Sequence, residues 1–179
     1  MTTIATNLPA TIRARPWLSA ALFLAAAGIG TILGAYFFEF VVGLPPCPLC
    51  LQQRVPYYIA IPAALAVALA AWLRWPGAVV RLGLLGLAGL MVWSVWLGTY
   101  HAGAEWGFWQ GPTTCAQPVS LARTPADLLR GLQNAKPIAD CTVAAWRFLG
   151  LSLAGWNVLI SLALAGVALA AASRPRETA

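Results

Sequence analysis

Two of the four cysteines in this chain form a CxxC motif, Cys47-Pro48-Leu49-Cys50. A disulfide across this spacing closes a small ring that is easily reduced, so the motif suits redox cycling better than it suits fastening a long loop. Cys50 is expected at the N-terminus of a helix, where free backbone N–H groups and the helix dipole favour a thiolate.

Arg54 follows Cys50 by one helical turn, which places the two side chains on one face of the same predicted helix. Its cation would stabilise a thiolate at Cys50 or an anionic ligand beside it. The alternative explanation is structural, because an arginine near the end of an apolar helix extends to the membrane surface. Glu39 is predicted to be an interfacial acid rather than a catalytic one.

The other two cysteines, Cys115 and Cys141, lie far apart in the sequence, and a bond between them alone would be a structural staple. Three uses of the four cysteines are therefore open: a redox relay, structural staples, or a metal site. A metal site is the least favoured, since the second pair lacks CxxC spacing and His101 is the only histidine. The relay is the preferred interpretation, and no metal is expected.

His101 ends the third apolar segment, at the depth in the membrane where Arg54 is expected. A histidine and an arginine that face one pocket would bind the carbonyl oxygens of a quinone and supply protons on its reduction. The simpler interpretation is an interfacial polar residue, and the sequence alone does not show that the two side chains converge.

The elements that position these residues follow from the composition, which is 60% hydrophobic and 9% charged with a mean hydropathy of +0.76. Such a chain requires lipid as its solvent. The uncharged segments predict an all-α integral membrane four-helix bundle, a single membrane domain over residues 1–179. Each segment is long enough to cross a bilayer. The predicted spans are 17–38, 55–73, 82–100 and 148–173.

The net charge of +6 does not indicate a nucleic-acid site, because the basic residues form no patch. Six arginines instead fall in pairs beside the apolar segments, a distribution that sets orientation in a membrane. Both termini and the connection between the second and third spans are therefore predicted to be cytoplasmic. These pairs are Arg13/Arg15, Arg74/Arg81 and Arg174/Arg176.

The remaining two loops, about 39–54 and 101–147, are predicted to face outward, into the periplasm. All four cysteines fall in them, one pair in each loop, in a compartment that permits disulfides. The second loop carries a helix-start signal, Thr124-Pro125-Ala126-Asp127, before several leucines. It predicts a short helix on the membrane surface.

Four stretches of the sequence together resemble the bacterial DsbB family of membrane disulfide-generating enzymes, and the similarity covers most of the chain. A lone CxxC would be weak evidence, but here it opens the second of four spans and a second cysteine pair follows in the second outer loop. The stretches are CPLCLQQR from Cys47 to Arg54, Tyr100-His101, GPTTC ending at Cys115, and Asp140-Cys141 through Leu151.

The resemblance implies a thiol:quinone oxidoreductase in the bacterial inner membrane. Such an enzyme takes electrons from a periplasmic DsbA-like thiol oxidase and passes them to a membrane quinone, either ubiquinone or menaquinone. Carried over by position, Cys115 would form the mixed disulfide with the partner, and Cys141 would exchange with Cys47.

On the quinone side, the resemblance implies that Cys50 is the thiolate that contacts the quinone, with Arg54 stabilising it and His101 lining the ring pocket. Two alternatives remain from the residues alone. A vitamin K epoxide reductase-like enzyme shares a CxxC beside a quinone, but usually carries that motif near the end of a late span. A non-enzymatic membrane protein with disulfide-stapled outer loops is the other.

Overall fold

The structure, a computed structural model, describes residues 15–112, 124 and 140–175. Within these ranges four helices are long and apolar enough to cross a membrane, which confirms the predicted all-α membrane bundle. They are α1 (Pro16–Tyr36, continued by a π-helical segment, Phe37–Val41), α2 (Pro48–Trp72), α3 (Gly77–Glu105) and α4 (Leu153–Ala172). A short antiparallel hairpin, β1 (Arg147–Phe148) and β2 (Leu151–Ser152), leads into α4.

The helices pack in sequence, with α2 against α1 and α3, and α3 against α4. Small side chains fill much of the interior, and they let helix backbones approach closely where lipid gives no hydrophobic drive between helices. The larger apolar side chains are spread over the outer surface of the bundle, as expected for a protein that faces acyl chains. Buried small residues include Ala21, Ala64, Ala88, Ala165 and Ala168.

Contacts at one end of the bundle join the start of α1 to the ends of two other helices. The indole N–H of Trp17 donates to the backbone carbonyl of Ala171 at 3.0 Å. The guanidinium of Arg15 lies 5.9 Å from the ring centre of Trp72. The first and last described helices therefore begin and end on the same side, as an even number of crossings requires.

The predicted spans end beside charged or polar residues. Several helices in the structure begin or end at other residues than these. Helix α2 begins at Pro48 rather than at residue 55, because Arg54 is paired inside the helix instead of marking its boundary. Helix α3 runs from Gly77 to Glu105 rather than over 82–100, and it contains Arg81 and His101. The first helical segment continues to Val41 rather than ending at residue 38.

The last helix begins at Leu153 rather than at the predicted residue 148. The preceding residues turn in the hairpin, where Leu149 and Gly150 have φ of 51° and 81°. Ser152 then caps the helix, since its Oγ accepts a hydrogen bond from the N–H of Gly155 at 3.2 Å. The surface helix predicted to start at Thr124 lies, apart from that residue, outside the described residues.

Candidate functional site

The CxxC motif forms the N-terminus of α2. Cys47 is the N-cap residue, and Pro48 takes the first helical position, where a missing N–H costs nothing. The Sγ of Cys47 accepts a hydrogen bond from the backbone N–H of Cys50 at 3.2 Å and lies 2.8 Å from the Sγ of Cys50. Both are free thiols.

This arrangement favours negative charge on Cys47. The pKa of Cys47 is lowered to about 5, chiefly by the hydrogen bond from the Cys50 thiol. Burial raises this pKa, and the contact with His101 lowers it. The sequence predicts the helix N-terminus to act on Cys50. In this dithiol, the backbone N–H of Cys50 instead donates its hydrogen bond to the sulfur of Cys47.

Three buried side chains meet at this helix start. The Sγ of Cys47, a ring nitrogen of His101 and the Sγ of Cys141 all lie within 4.8 Å of one another. The contact between Cys47 and His101 is 3.6 Å. Cys141 is disulfide-bonded, and Cys115 lies outside the described residues. The second outer loop thus brings one of its sulfurs against the CxxC motif.

The orientation of His101 is set by a chain of side-chain hydrogen bonds from α4. Tyr57 donates to the Oδ1 of Asn157 at 2.9 Å, and the Nδ2 of Asn157 donates to the Oε1 of Gln53 at 2.8 Å. Gln53 in turn donates to the Nδ1 of His101 at 2.6 Å. This order of donors puts the ring proton on Nε2, the nitrogen that faces Cys47.

The same polar chain continues into the bundle below the site. Ser161 donates to the Oγ of Ser94 at 2.9 Å, and Asn157 contacts that Oγ at 3.3 Å. Gly98 permits this close approach of α3 and α4, because a Cβ there would lie 2.8 Å from Val158 and 3.2 Å from the Asn157 amide.

Arg54 lies one helical turn after Cys50, in an ion pair with Glu39. The distance between Arg54 Nη1 and Glu39 Oε2 is 2.6 Å, and the guanidinium carbon is 5.2 Å from the ring centre of Tyr36. Glu39 is carried by the π-helical segment, a distortion that is frequent at functional sites. Glu39, which the sequence predicts to be an interfacial acid, is thus the ion-pair partner of Arg54.

A cavity of about 620 Å³ opens between these groups, a volume within the usual range for small-molecule sites. Most of its lining is apolar, and the rings of Phe38 and Trp146 pack in its wall with centres 4.8 Å apart. Arg54 and His101, for which the sequence proposes a common pocket, both line it. Its other polar lining includes Cys47, Cys50, Glu39, Gln53, Asn157 and Glu105.

Two residues of this cluster are missed by the sequence analysis. Asn157 is a polar residue in an otherwise apolar span, which is itself a signal of function or of a buried partner. Glu105 follows His101 by one helical turn, a spacing at which the two side chains meet. Gln53 belongs to the CPLCLQQR stretch, and in the structure it links Asn157 to His101.

Comparison with known proteins gives one family. The family model of disulfide bond formation protein DsbB matches residues 17–171. A disulfide bond formation protein B of Albidiferax ferrireducens is 37% identical over 158 residues, covering 79% of this chain and 83% of that protein. A protein of the same name from Xanthomonas oryzae pv. oryzae is 32% identical, covering 87% of this chain and 89% of the relative. No solved structure matches the chain.

The matched region contains all four cysteines and every residue of the cluster around His101. It also contains nearly the whole length of the four membrane-spanning helices. The chain therefore belongs to the DsbB family, and it is a membrane oxidoreductase that generates disulfide bonds.

Proposed function

We propose that this enzyme reoxidises a periplasmic DsbA-like thiol oxidase and passes the electrons through its two cysteine pairs to a membrane quinone. The observation that carries the proposal is the approach of Cys141 to Cys47, whose sulfurs lie within 4.8 Å of each other. At that separation a small movement brings one sulfur into position to attack the other. Two staples with no redox role need no such contact.

In the proposed exchange, Cys115 and Cys141 form the second disulfide. A thiolate of the partner attacks Cys115, so that a mixed disulfide forms and Cys141 leaves as a thiolate. Cys141 attacks Cys47 in the Cys47–Cys50 disulfide, which forms a Cys47–Cys141 bond and releases Cys50 as a thiolate.

The second thiolate of the partner closes the partner's own disulfide and frees Cys115. Cys115 then attacks Cys141, which restores the second pair and leaves Cys47 and Cys50 as a dithiol. The arrangement of the structure fits this stage, because Cys141 is disulfide-bonded while Cys47 and Cys50 are free thiols.

The cavity beside Cys50 has the chemistry that a quinone ring needs. Its apolar lining suits the ring and an isoprenoid chain, and the cation of Arg54 and the imidazole of His101 border it. A bound quinone supplies a two-electron, two-proton acceptor. Within this chain, Cys50 is the sulfur placed to give electrons, Arg54 offsets negative charge at the ring oxygens, and His101 holds a proton near Cys47.

The orientation that we propose places the cysteines in the periplasm and both termini in the cytoplasm of a bacterial inner membrane. It is supported by the arginines that lie at the opposite end of the bundle from the CxxC motif. Arg15, Arg74 and Arg174 flank the membrane-spanning helices there.

An anaerobic assay with the purified full-length protein tests the proposal. A reduced DsbA-like oxidase is mixed with catalytic enzyme and ubiquinone or menaquinone, and the loss of quinone absorbance is followed. We expect one quinone reduced for each partner disulfide formed, and no reduction with Cys50→Ala. Quinone reduction that is unchanged in Cys50→Ala would overturn the proposed route.

A further inference from the structure

Asn157 is a polar residue in the apolar helix α4, and the proposed electron route gives it no part. Its Nδ2 donates to the Oε1 of Gln53 at 2.8 Å, and its Oδ1 accepts a hydrogen bond from Tyr57 at 2.9 Å. An amide within a membrane-spanning helix is costly unless it is hydrogen-bonded, so its partners indicate its role. The chain of partners that begins at Asn157 ends at the ring of His101.

Two contacts, one at each end of the amide, fix the orientation of Gln53. Its nitrogen lies 3.5 Å from the backbone carbonyl of Leu49, a group that can only accept a hydrogen bond. Its oxygen faces the amino group of Asn157, a group that can only donate. With the amide held in this way, its nitrogen also faces the Nδ1 of His101 at 2.6 Å, so that Nδ1 accepts and carries no proton.

The proton of the His101 ring is therefore on Nε2, the nitrogen that faces the reacting sulfur. Nε2 lies 3.6 Å from the Sγ of Cys47 and 3.7 Å from the Oε1 of Glu105. An Nε2 without its proton would present a lone pair to both of these groups. An Nε2–H instead donates toward the sulfur, and such a contact strengthens when the sulfur becomes an anion.

We infer that Asn157 is a positioning residue for disulfide exchange: by holding Gln53, it keeps the Nε2–H of His101 directed at Cys47 when that sulfur leaves as a thiolate. The inference rests on the proposed function in one respect, namely that Cys47 exchanges disulfides with Cys141. It adds a residue of α4, the helix farthest along the chain from the CxxC motif, to the machinery of that exchange.

The step concerned is the breaking of the Cys47–Cys141 bond. The thiolate of Cys115 attacks the sulfur of Cys141, so that the Cys115–Cys141 bond forms and the Cys47–Cys141 bond breaks. The electron pair of the broken bond stays on Cys47, which leaves as a thiolate beside the Nε2–H of His101. No proton is transferred in this step, and no oxidant or reductant besides the three sulfurs is required.

Two variants of α4 separate this role from packing. Asn157→Leu keeps the size of the side chain but leaves the oxygen of Gln53 without its donor, so the amide is free to turn that oxygen toward Nδ1. Ser161→Ala is the matched control, one helical turn further along α4. It removes hydrogen bonds to Ser94 and Tyr57 but leaves the contacts from Asn157 to His101 in place.

The first test reads the ring directly, because His101 is the only histidine of the chain. The full-length, quinone-free protein is labelled with ¹⁵N in its histidine ring, and nitrogen NMR spectra are recorded with Cys47 and Cys50 reduced. We expect the Nδ1 of the wild type and of Ser161→Ala to resonate as a nitrogen without a proton. In Asn157→Leu, the Nδ1 signal should move toward that of a protonated nitrogen.

The second test follows the Cys47–Cys141 bridge after quinone-free oxidised enzyme is mixed with a reduced DsbA-like oxidase, by acid quenching and alkylation. The bridge should decay about tenfold more slowly in Asn157→Leu, the effect of losing one hydrogen bond to a charged group, and at the wild-type rate in Ser161→Ala. The absence of quinone excludes an effect of Asn157 on quinone binding.

Three results would each overturn the inference: a proton on Nδ1 in the wild type, an unchanged ring or an unchanged decay of the bridge in Asn157→Leu, and equal changes in Ser161→Ala. The spectrum of the wild type does not depend on any variant folding well. A wild type that never forms the Cys47–Cys141 bridge would instead overturn the proposed function, and its ring spectrum would still report the position of the proton.

Discussion

The guanidinium of Arg54 on α2 lies 2.6 Å from the carboxylate of Glu39 in the π-helical segment. The two side chains are only 11% and 21% exposed, so the arginine is fixed at the wall of the cavity rather than extended to the membrane surface. A positive charge held in this way is available to a ligand without the entropic cost of ordering a long side chain.

We predict that Arg54→Ala raises the quinone KM about tenfold, a loss of roughly 1.4 kcal/mol of binding. Thiol exchange with the partner should stay close to normal, because Arg54 lies outside the cluster of Cys47, His101 and Cys141. Arg54→Lys should be intermediate, since a lysine keeps the charge but loses the planar fork of donors. Steady-state kinetics with varied quinone, and single-turnover exchange without quinone, measure the two effects separately.

A double variant separates binding from simple charge pairing. Arg54→Ala leaves Glu39 without its cation, and that unpaired acid alone would weaken quinone binding. Removing both charges with Arg54→Ala and Glu39→Gln should therefore recover only part of the affinity if Arg54 contacts the quinone. Full recovery of the wild-type KM would show that Arg54 only neutralises Glu39.

The thiolate of Cys47 should be present at neutral pH and should protonate as the pH falls through about 5. Because this pKa lies below that of an ordinary thiol, the anion is retained above pH 5 and lost below it. Cys50→Ala removes the largest cause of the shift and should raise the pKa of Cys47. Cys50→Ser keeps a hydroxyl donor and should give a smaller rise. The ultraviolet absorbance of the thiolate, followed against pH, measures all three.

The result would contradict the geometry if Cys50→Ala and the wild type titrated alike. In that case the helix N-terminus or His101 would be the main source of the shift, and the contact between the two sulfurs would have no electrostatic consequence.

Much of this fold can be predicted from the sequence, because a bilayer restricts the length of a spanning helix and the placement of charged residues. The four spans follow from the apolar runs, and the arginine positions predict that Arg74 lies at the same end of the bundle as both termini. The boundaries do not follow, because a charged residue can lie within a helix when another segment supplies its counter-charge. Glu39, fifteen residues before Arg54, supplies it here.

The site can be predicted only in part from the sequence. Cys47 and Cys50 are neighbours in sequence, so their chemistry is visible in the spacing. Asn157 is separated from Gln53 by 104 residues, and nothing in either local sequence indicates that the two side chains meet. Such contacts depend on the packing of α4 against α3 at Gly98, which only the three-dimensional structure reveals.

Membrane topology gives an independent prediction. In a background without other cysteines, Gln110→Cys and Ala78→Cys place single thiols at exposed positions near opposite ends of the bundle. A membrane-impermeant maleimide applied to intact spheroplasts should label Gln110→Cys and leave Ala78→Cys unlabelled until the membrane is permeabilised. Labelling of both from the outside would contradict the proposed orientation.

The proposed relay predicts a trapped bridge between the two loops, because the sulfurs of Cys141 and Cys47 lie within 4.8 Å of each other. Cys115→Ala should leave Cys141 as a free thiolate, which attacks Cys47 and displaces Cys50, so that the oxidised variant accumulates a Cys47–Cys141 bridge. Peptide mapping without reduction should recover that bridge together with an alkylated Cys50.

Cys141→Ala is the matched control, because it keeps Cys115 but removes the attacking sulfur. The free thiol of Cys115 should still attack the disulfide of the oxidised partner and form a mixed disulfide with it, yet the variant should pass no electrons from the reduced partner to quinone. If Cys115→Ala retains only the Cys47–Cys50 bond, and Cys141→Ala sustains normal quinone reduction, then the second cysteine pair is a staple. The approach of the two sulfurs would then serve packing alone, and electrons would have to reach Cys47 directly from the partner.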